Sequence, residues 1–190
     1  MRSIFEDQRL TLADGVGRLE SLGLNYMLTG SVAMLRFAPG RMTNDIDIVV
    51  QLEQRDRLRF VDAFADNYYI PEEKISGAID RSSMFNVLNN ETLVKIDIAL
   101  VKPTEFHKHA FENRERVDIW DIEVWAIRRD DLIVSKLYWA KDSRSERQMR
   151  DVVTVMMNGF DADYIKPWVK ALGVVDLYDQ CVVEWEKTNV

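Results

Sequence analysis

Apolar residues near the start of the chain recur at helical spacing and then change period. FEDQRLTLADGVGRLESLGL places Leu10, Leu12, Val16, Leu19 and Leu22 along one stripe, which predicts a helix ending near Gly23. NYMLTG then reads as a short strand stopping at Gly30, and SVAMLRF as a brief helix capped by the Ser31 hydroxyl. PGRMTN is a loop, and DIDIVV is a strand rich in β-branched residues. QLEQRDRLRFVDAFADN returns to helical periodicity, YYI gives a short strand and PEEKISGAI a short helix. MFNVLNNETLVKIDIALV predicts two strands around Asn89-Asn90, residues that tolerate positive φ. TEFHKHAFENR reads as a helix and VDIWDIEVWAI as two short strands. From Arg129 onward the pattern is helical throughout: RDDLIVSKLYWAKD, SERQMRDVVTVMM, DADYIKPWVKALG and VVDLYDQCVVEWEK. The expectation is an α+β fold, with a mixed core over 1–128 and a C-terminal helical bundle over 129–190 packed on it.

One strand does not fit a plain core. Residues i and i+2 share a face, so Asp45 and Asp47 point one way and Ile46 and Ile48 the other. KIDIAL repeats the arrangement, with Lys95 and Asp97 opposite Ile96 and Ile98. If the two strands are neighbours, three carboxylates meet on one patch and repel one another unless a cation intervenes. Magnesium prefers oxygen ligands, and two such ions can clamp both oxygens of a phosphoryl displacement. Taken alone, Asp-x-Asp is a common pair. It recurs at Asp161 and Asp163 at a helix start, so a strand-end cap is the plainer reading. The combination says more. A strand ends at Gly30-Ser31 where a helix begins, which makes a cradle for phosphate. Thirteen residues then lead from Ser31 back to Asp45.

Composition narrows the classes. The chain has 190 residues, 47% hydrophobic, enough for a core. Its net charge of −7 argues against a broad electrostatic grip on nucleic acid. Cys181 is the only cysteine, which excludes an intramolecular disulfide and a thiolate zinc site. MRSIFEDQRL lacks an apolar signal core, and no run approaches the roughly 18 apolar residues of a membrane span. A soluble, cytoplasmic protein with no membrane partner is expected.

Gly30, Ser31, Asp45, Asp47 and Asp97 together resemble the signature of the nucleotidyltransferases related to DNA polymerase β. RMTNDID resembles the Arg-x-Thr-x-Asp-x-Asp form of the minimal bacterial branch, which includes the abortive-infection (type IV) toxin–antitoxin nucleotidyltransferase toxins. FNVL, KIDIAL, FENRERVDI, DDLIVSKLYW, SERQMRDV and DADYIKPWVKALGVVDLY extend the likeness over roughly 20–180. The resemblance implies a mixed sheet with flanking helices, a nucleoside triphosphate substrate and two magnesium ions, with manganese as a substitute. It implies that Asp45, Asp47 and Asp97 act as metal ligands and catalytic groups. Gly30, Ser31, Arg41, Thr43, Lys136 and Asp151 would then serve the nucleotide, with Asp131 as the acidic partner of Lys136. The acceptor stays open among RNA, a protein hydroxyl and a small molecule, and a cognate antitoxin is an implied partner. The spacer of thirteen is long for the family, and Thr154 stands where relatives carry a second acidic residue.

Other residues have plainer readings. Lys136 in its apolar helix also reads as a snorkelling lysine, and Arg41 and Thr43 also read as loop braces. His107 and His109 are two apart on a helix and share no face, so they make no metal pair. Arg144, Arg147 and Arg150 form a stripe that reads as a solvated face or as a grip for RNA. The five tryptophans read as core and interface, and Cys181 as a buried apolar residue. Two rivals to an enzyme remain: a catalytically silent binding module of the same fold, and a structural module whose acidic face docks a protein.

Overall fold

A computed structural model describes residues 2–38 and 45–188. The chain divides into two compact units. The first holds residues 2–33 and 45–127, and the second holds residues 34–38 and 128–188. The fold is α+β, as the alternation of periods predicts.

Among the described residues the first unit carries a seven-stranded mixed sheet, in the order β3-β4-β5-β2-β1-β7-β6. Its strands are β1 (Tyr26–Thr29), β2 (Asp45–Val50), β3 (Tyr68–Tyr69), β4 (Met84–Asn89), β5 (Lys95–Leu100), β6 (Glu115–Ile119) and β7 (Ile122–Ala126). β2 runs parallel to β5 and antiparallel to β1, while β1 runs parallel to β7. Both central strands alternate in burial. Ile46, Ile48, Ile96 and Ile98 are at most 1% exposed, whereas Asp45, Asp47, Lys95 and Asp97 are half-buried. Sealing one face of each strand fixes register, because a slip by one residue would drive every isoleucine into water.

Helices complete this unit: α1 (Ile4–Ser21), α3 (Arg57–Phe64), α4 (Glu72–Asp80) and α5 (Glu105–Glu112), with α2 (Gly30–Met34) leaving the end of β1. The Ser3 side chain caps α1 by accepting from Glu6 N–H, and Leu12, Val16 and Leu19 form its buried stripe. In α3, Phe60 stacks on Phe64 at 4.5 Å and meets Phe85 of β4 edge-on at 5.5 Å.

Two local expectations change. The residue with positive φ between β4 and β5 is Leu93 (+57°), not an asparagine. The Asn89 side chain accepts instead from the N–H groups of Glu91 and Thr92, which turns the chain and moves the strained position onward. α2 also starts at Gly30 and ends at Met34, so Ser31 is its second residue and not its cap.

The second unit is helical: α6 (Arg129–Ala140), α7 (Glu146–Met156), α8 (Ala162–Leu172) and α9 (Val175–Thr188). Leu132, Ile133, Val134 and Leu137 of α6, with Val152, Val155 and Met156 of α7, are completely buried. Asp161 caps α8 through the N–H groups of Asp163 and Tyr164, which accounts for the second Asp-x-Asp as a helix start. Cys181 is buried, and Trp185 packs edge-on against Phe160. Among the described residues no helix is long and apolar enough to cross a membrane.

Candidate active site

The polar face of the sheet is built by register. Asp47 is the partner of Thr29 on β1 and of Asp97 on β5, and Asp97 is in turn the partner of Asn86 on β4. Register partners share a face, so Thr29, Asp47, Asp97 and Asn86 form one polar row across four adjacent strands. Asp45 and Lys95 pair one step along the same face. The structure therefore brings Asp45, Asp47 and Asp97 to one patch. Asn86 and Thr29 belong to the same row. They lack a sequence signal, because each is a single polar residue whose meaning depends on which strand lies beside it.

The corner after β1 closes on this row. Gly30 adopts φ +65°, and a Cβ built there would lie 1.9 Å from Asp47 Oδ2 and 2.8 Å from Asp47 Cβ. Only a residue without a side chain lets the carboxylate lie against that backbone. Ser31 follows and is buried. Arg41 and Thr43 lie outside the described residues.

The charge pattern has a component that the motif does not include. Lys95 Nζ lies 3.0 Å from Asp97 Oδ2 and 3.5 Å from Asp45 Oδ2, so one ammonium bridges two of the three carboxylates. Burial works against its charge, but the hydrogen bond and attraction to Asp97, then Asp45, outweigh that cost and raise its pKa. The other oxygen of Asp97, Oδ1, is buried with no hydrogen-bond partner among the described residues. Among those residues no three acidic, histidine or cysteine side chains are gathered tightly enough to hold a metal as they stand. The donor set nonetheless suits magnesium: carboxylate oxygens on one face, one of them buried and unsatisfied.

The remaining candidates lie in the second unit. Lys136 is 4% exposed and does not snorkel. Its Nζ donates to Asp151 Oδ2 at 2.7 Å and to Gln148 Oε1 at 3.3 Å. Asp151, on α7, thus holds the ammonium, while Asp131 accepts from the Tyr164 hydroxyl at 2.5 Å. The arginine stripe is partly neutralised: Arg144 pairs with Asp176 at 2.7 Å and Arg150 with Glu146 at 3.8 Å. In the first unit, His107 Nδ1 sits 2.5 Å from the Thr104 hydroxyl. Burial, with Lys102 nearby, pushes its pKa down to about 4, which suits a neutral packed ring.

With this geometry in place, the class of fold can be stated: the chain has the α+β fold of nucleotidyltransferases. It is similar to the antibiotic-resistance factor ANT(2'')-Ia in its solution structure, with a TM-score of 0.58, 13% identity, and coverage of 96% of this chain and 98% of that one. A crystal structure of ANT(2'')-Ia in complex with adenylyl-2''-tobramycin gives 0.55, with 11% identity over 86% and 95%. An antigenic nucleotidyltransferase-like protein from Paracoccidioides brasiliensis gives 0.51, with 14% identity over 90% of each chain. No family model matches the chain, and no curated protein matches it. At these identities the likeness is one of fold.

Proposed function

We propose that the protein is a magnesium-dependent nucleotidyltransferase that moves a nucleoside monophosphate from a nucleoside triphosphate to an acceptor hydroxyl. The observation that carries this reading is the register pairing of Asp47 with Asp97, with Asp45 one step along and the side-chain-free Gly30 corner against Asp47. Bound magnesium would neutralise triphosphate charge and polarise the phosphorus being attacked. Asp45, Asp47 and Asp97 would hold it. The Gly30–Ser31 turn would receive the phosphates, and the Asp97 carboxylate would take the acceptor hydroxyl's proton. Phosphoryl transfer needs positioning and electrostatics more than further chemical groups, which suits so sparse a site. The family resemblance would assign Lys136 to the nucleotide's phosphates, with Asp151 as the partner of its ammonium. Arg41 and Thr43 belong to the same proposal as phosphate contacts.

The acceptor is an RNA, a protein or a small molecule. The adenylylated tobramycin bound to ANT(2'')-Ia supports including small molecules in that set. RMTNDID supports a toxin–antitoxin component, for which the test is growth arrest on expression, relieved by a small protein encoded beside it.

One observation favours a silent nucleotide- or protein-binding module instead: Lys95 already bridges Asp45 and Asp97. Calorimetric titration of all four nucleoside triphosphates with magnesium, on the wild type and Asp47→Asn, followed by an assay for nucleotide turnover, separates the readings, because magnesium-dependent binding without turnover favours the silent module. Magnesium-dependent binding that weakens in Asp47→Asn is expected of the transferase. Binding that ignores both magnesium and the substitution would overturn it.

A further inference from the structure

Lys95 has no place in the motif, yet it reaches two of the motif's carboxylates. It precedes Asp97 by two residues on β5 and stands in register with Asp45 on β2, so its side chain rises between them. Its ammonium reaches one oxygen of each carboxylate, at 3.0 Å and 3.5 Å. Those are oxygens that a divalent ion would need. The Lys95 side chain is 35% exposed and that of Asp45 43%, so the ammonium has room to withdraw towards solvent. Asp97 is more enclosed, at 13%, and its inner oxygen is the one left unsatisfied.

Resting on the reading above, we infer that Lys95 is a resident counter-cation of the acidic patch, displaced when divalent metal enters, so that metal is taken up efficiently only together with nucleotide. The charges support this order. Asp45, Asp47 and Asp97 with Lys95 sum to a formal −2, so the cluster in the nucleotide-free protein is already partly balanced. A metal arriving alone must break two ion pairs and then sit beside the displaced ammonium. A metal arriving with triphosphate brings anionic charge that the ammonium can turn to meet. Lys95 is thus a positioning residue, which keeps Asp45 and Asp97 apart from each other's charge and aimed at one point until the metal replaces it.

The test is manganese binding to the whole protein, read by electron paramagnetic resonance. In the absence of nucleotide, Lys95→Met removes the competing charge and is expected to bind Mn2+ about tenfold more tightly than the wild type. Lys95→Arg keeps the charge and is expected to stay at or below wild-type affinity. Adding a non-hydrolysable nucleotide should tighten Mn2+ binding strongly in the wild type and much less in Lys95→Met. If Lys95→Met binds free Mn2+ no better than the wild type, while nucleotide still promotes metal binding in both, this inference fails and the transferase reading stands. If neither protein takes up Mn2+ with or without nucleotide, both fail. Should Lys95→Met not fold, lysine-directed NMR of the wild type decides the matter. The Lys95 Hε/Cε resonance must shift when Mg2+ and nucleotide are added together, and an unmoved resonance overturns the inference.

Discussion

Gly30→Ala joins a backbone effect to a site effect within one substitution. An L-residue at φ +65° carries about 1–2 kcal/mol of strain that glycine does not. Alanine's restriction of the unfolded chain helps only where the native backbone suits it, and at φ +65° it does not, so the substitution is a net backbone loss. The new Cβ would lie 1.9 Å from Asp47 Oδ2, closer than any real contact, so the carboxylate must swing away from the corner. The methyl would also lie 2.8 Å from Asp47 Cβ, which rotation of the carboxylate cannot move, so the corner backbone must shift as well. The loss should therefore fall on the fold and on the site together. Urea denaturation followed by tryptophan fluorescence should show about 2–3 kcal/mol of destabilisation. Mn2+ affinity in the presence of nucleotide should drop by about tenfold or more, the equivalent of losing one charged ligand. Gly17→Ala is the control. It lies inside α1 with no atom within 4 Å of the added methyl, and should stabilise by about 0.5–1 kcal/mol with unchanged metal binding. Wild-type stability and wild-type metal affinity in Gly30→Ala would refute the placing of Asp47 against the β1–α2 corner.

Lys136→Met strands the buried Asp151 carboxylate without its ammonium and should cost about 3–5 kcal/mol by chemical denaturation; adding Asp151→Leu should restore much of it. A single variant as stable as the wild type would contradict the buried pair. Between β6 and β7, Trp120 and Asp121 both take positive φ, at +59° and +62°. Asp121→Gly relieves the positive φ but gives the unfolded chain more freedom to lose, so stability should change by less than about 0.5 kcal/mol, measured as Tm.

Much of the fold is legible in the sequence because periodicity is a local signal. The alternation in DIDIVV and KIDIAL gives both the buried isoleucines and the acidic faces, and the helical stripes of α1 and α6 read directly. What could not be read is non-local. Whether β2 lies beside β5 decides if Asp97 belongs with Asp47, and strand order is not written in either strand. The same holds for Thr29 and Asn86. Lys95 was visible as a residue sharing the face of Asp97, but its bridge to Asp45 depends on the parallel register. Lys136 shows the opposite failure. An apolar helix around a lysine suggests an ammonium reaching for water, whereas Asp151, 15 positions on, makes burial tolerable. At the turn after β4, asparagine tolerates positive φ, but its side chain caps the turn instead and Leu93 carries the strain.

The central claim is tested most directly by following the α-phosphate. The protein is incubated with magnesium, each of the four nucleoside triphosphates labelled at the α position, and a cell extract as the source of acceptor. The account predicts label incorporated into acceptor with one nucleotide or more, no incorporation from γ-labelled nucleotide, and loss of incorporation in Asp47→Asn and Asp97→Asn. Transfer that persists in either variant, or incorporation from the γ position in place of the α, would contradict it.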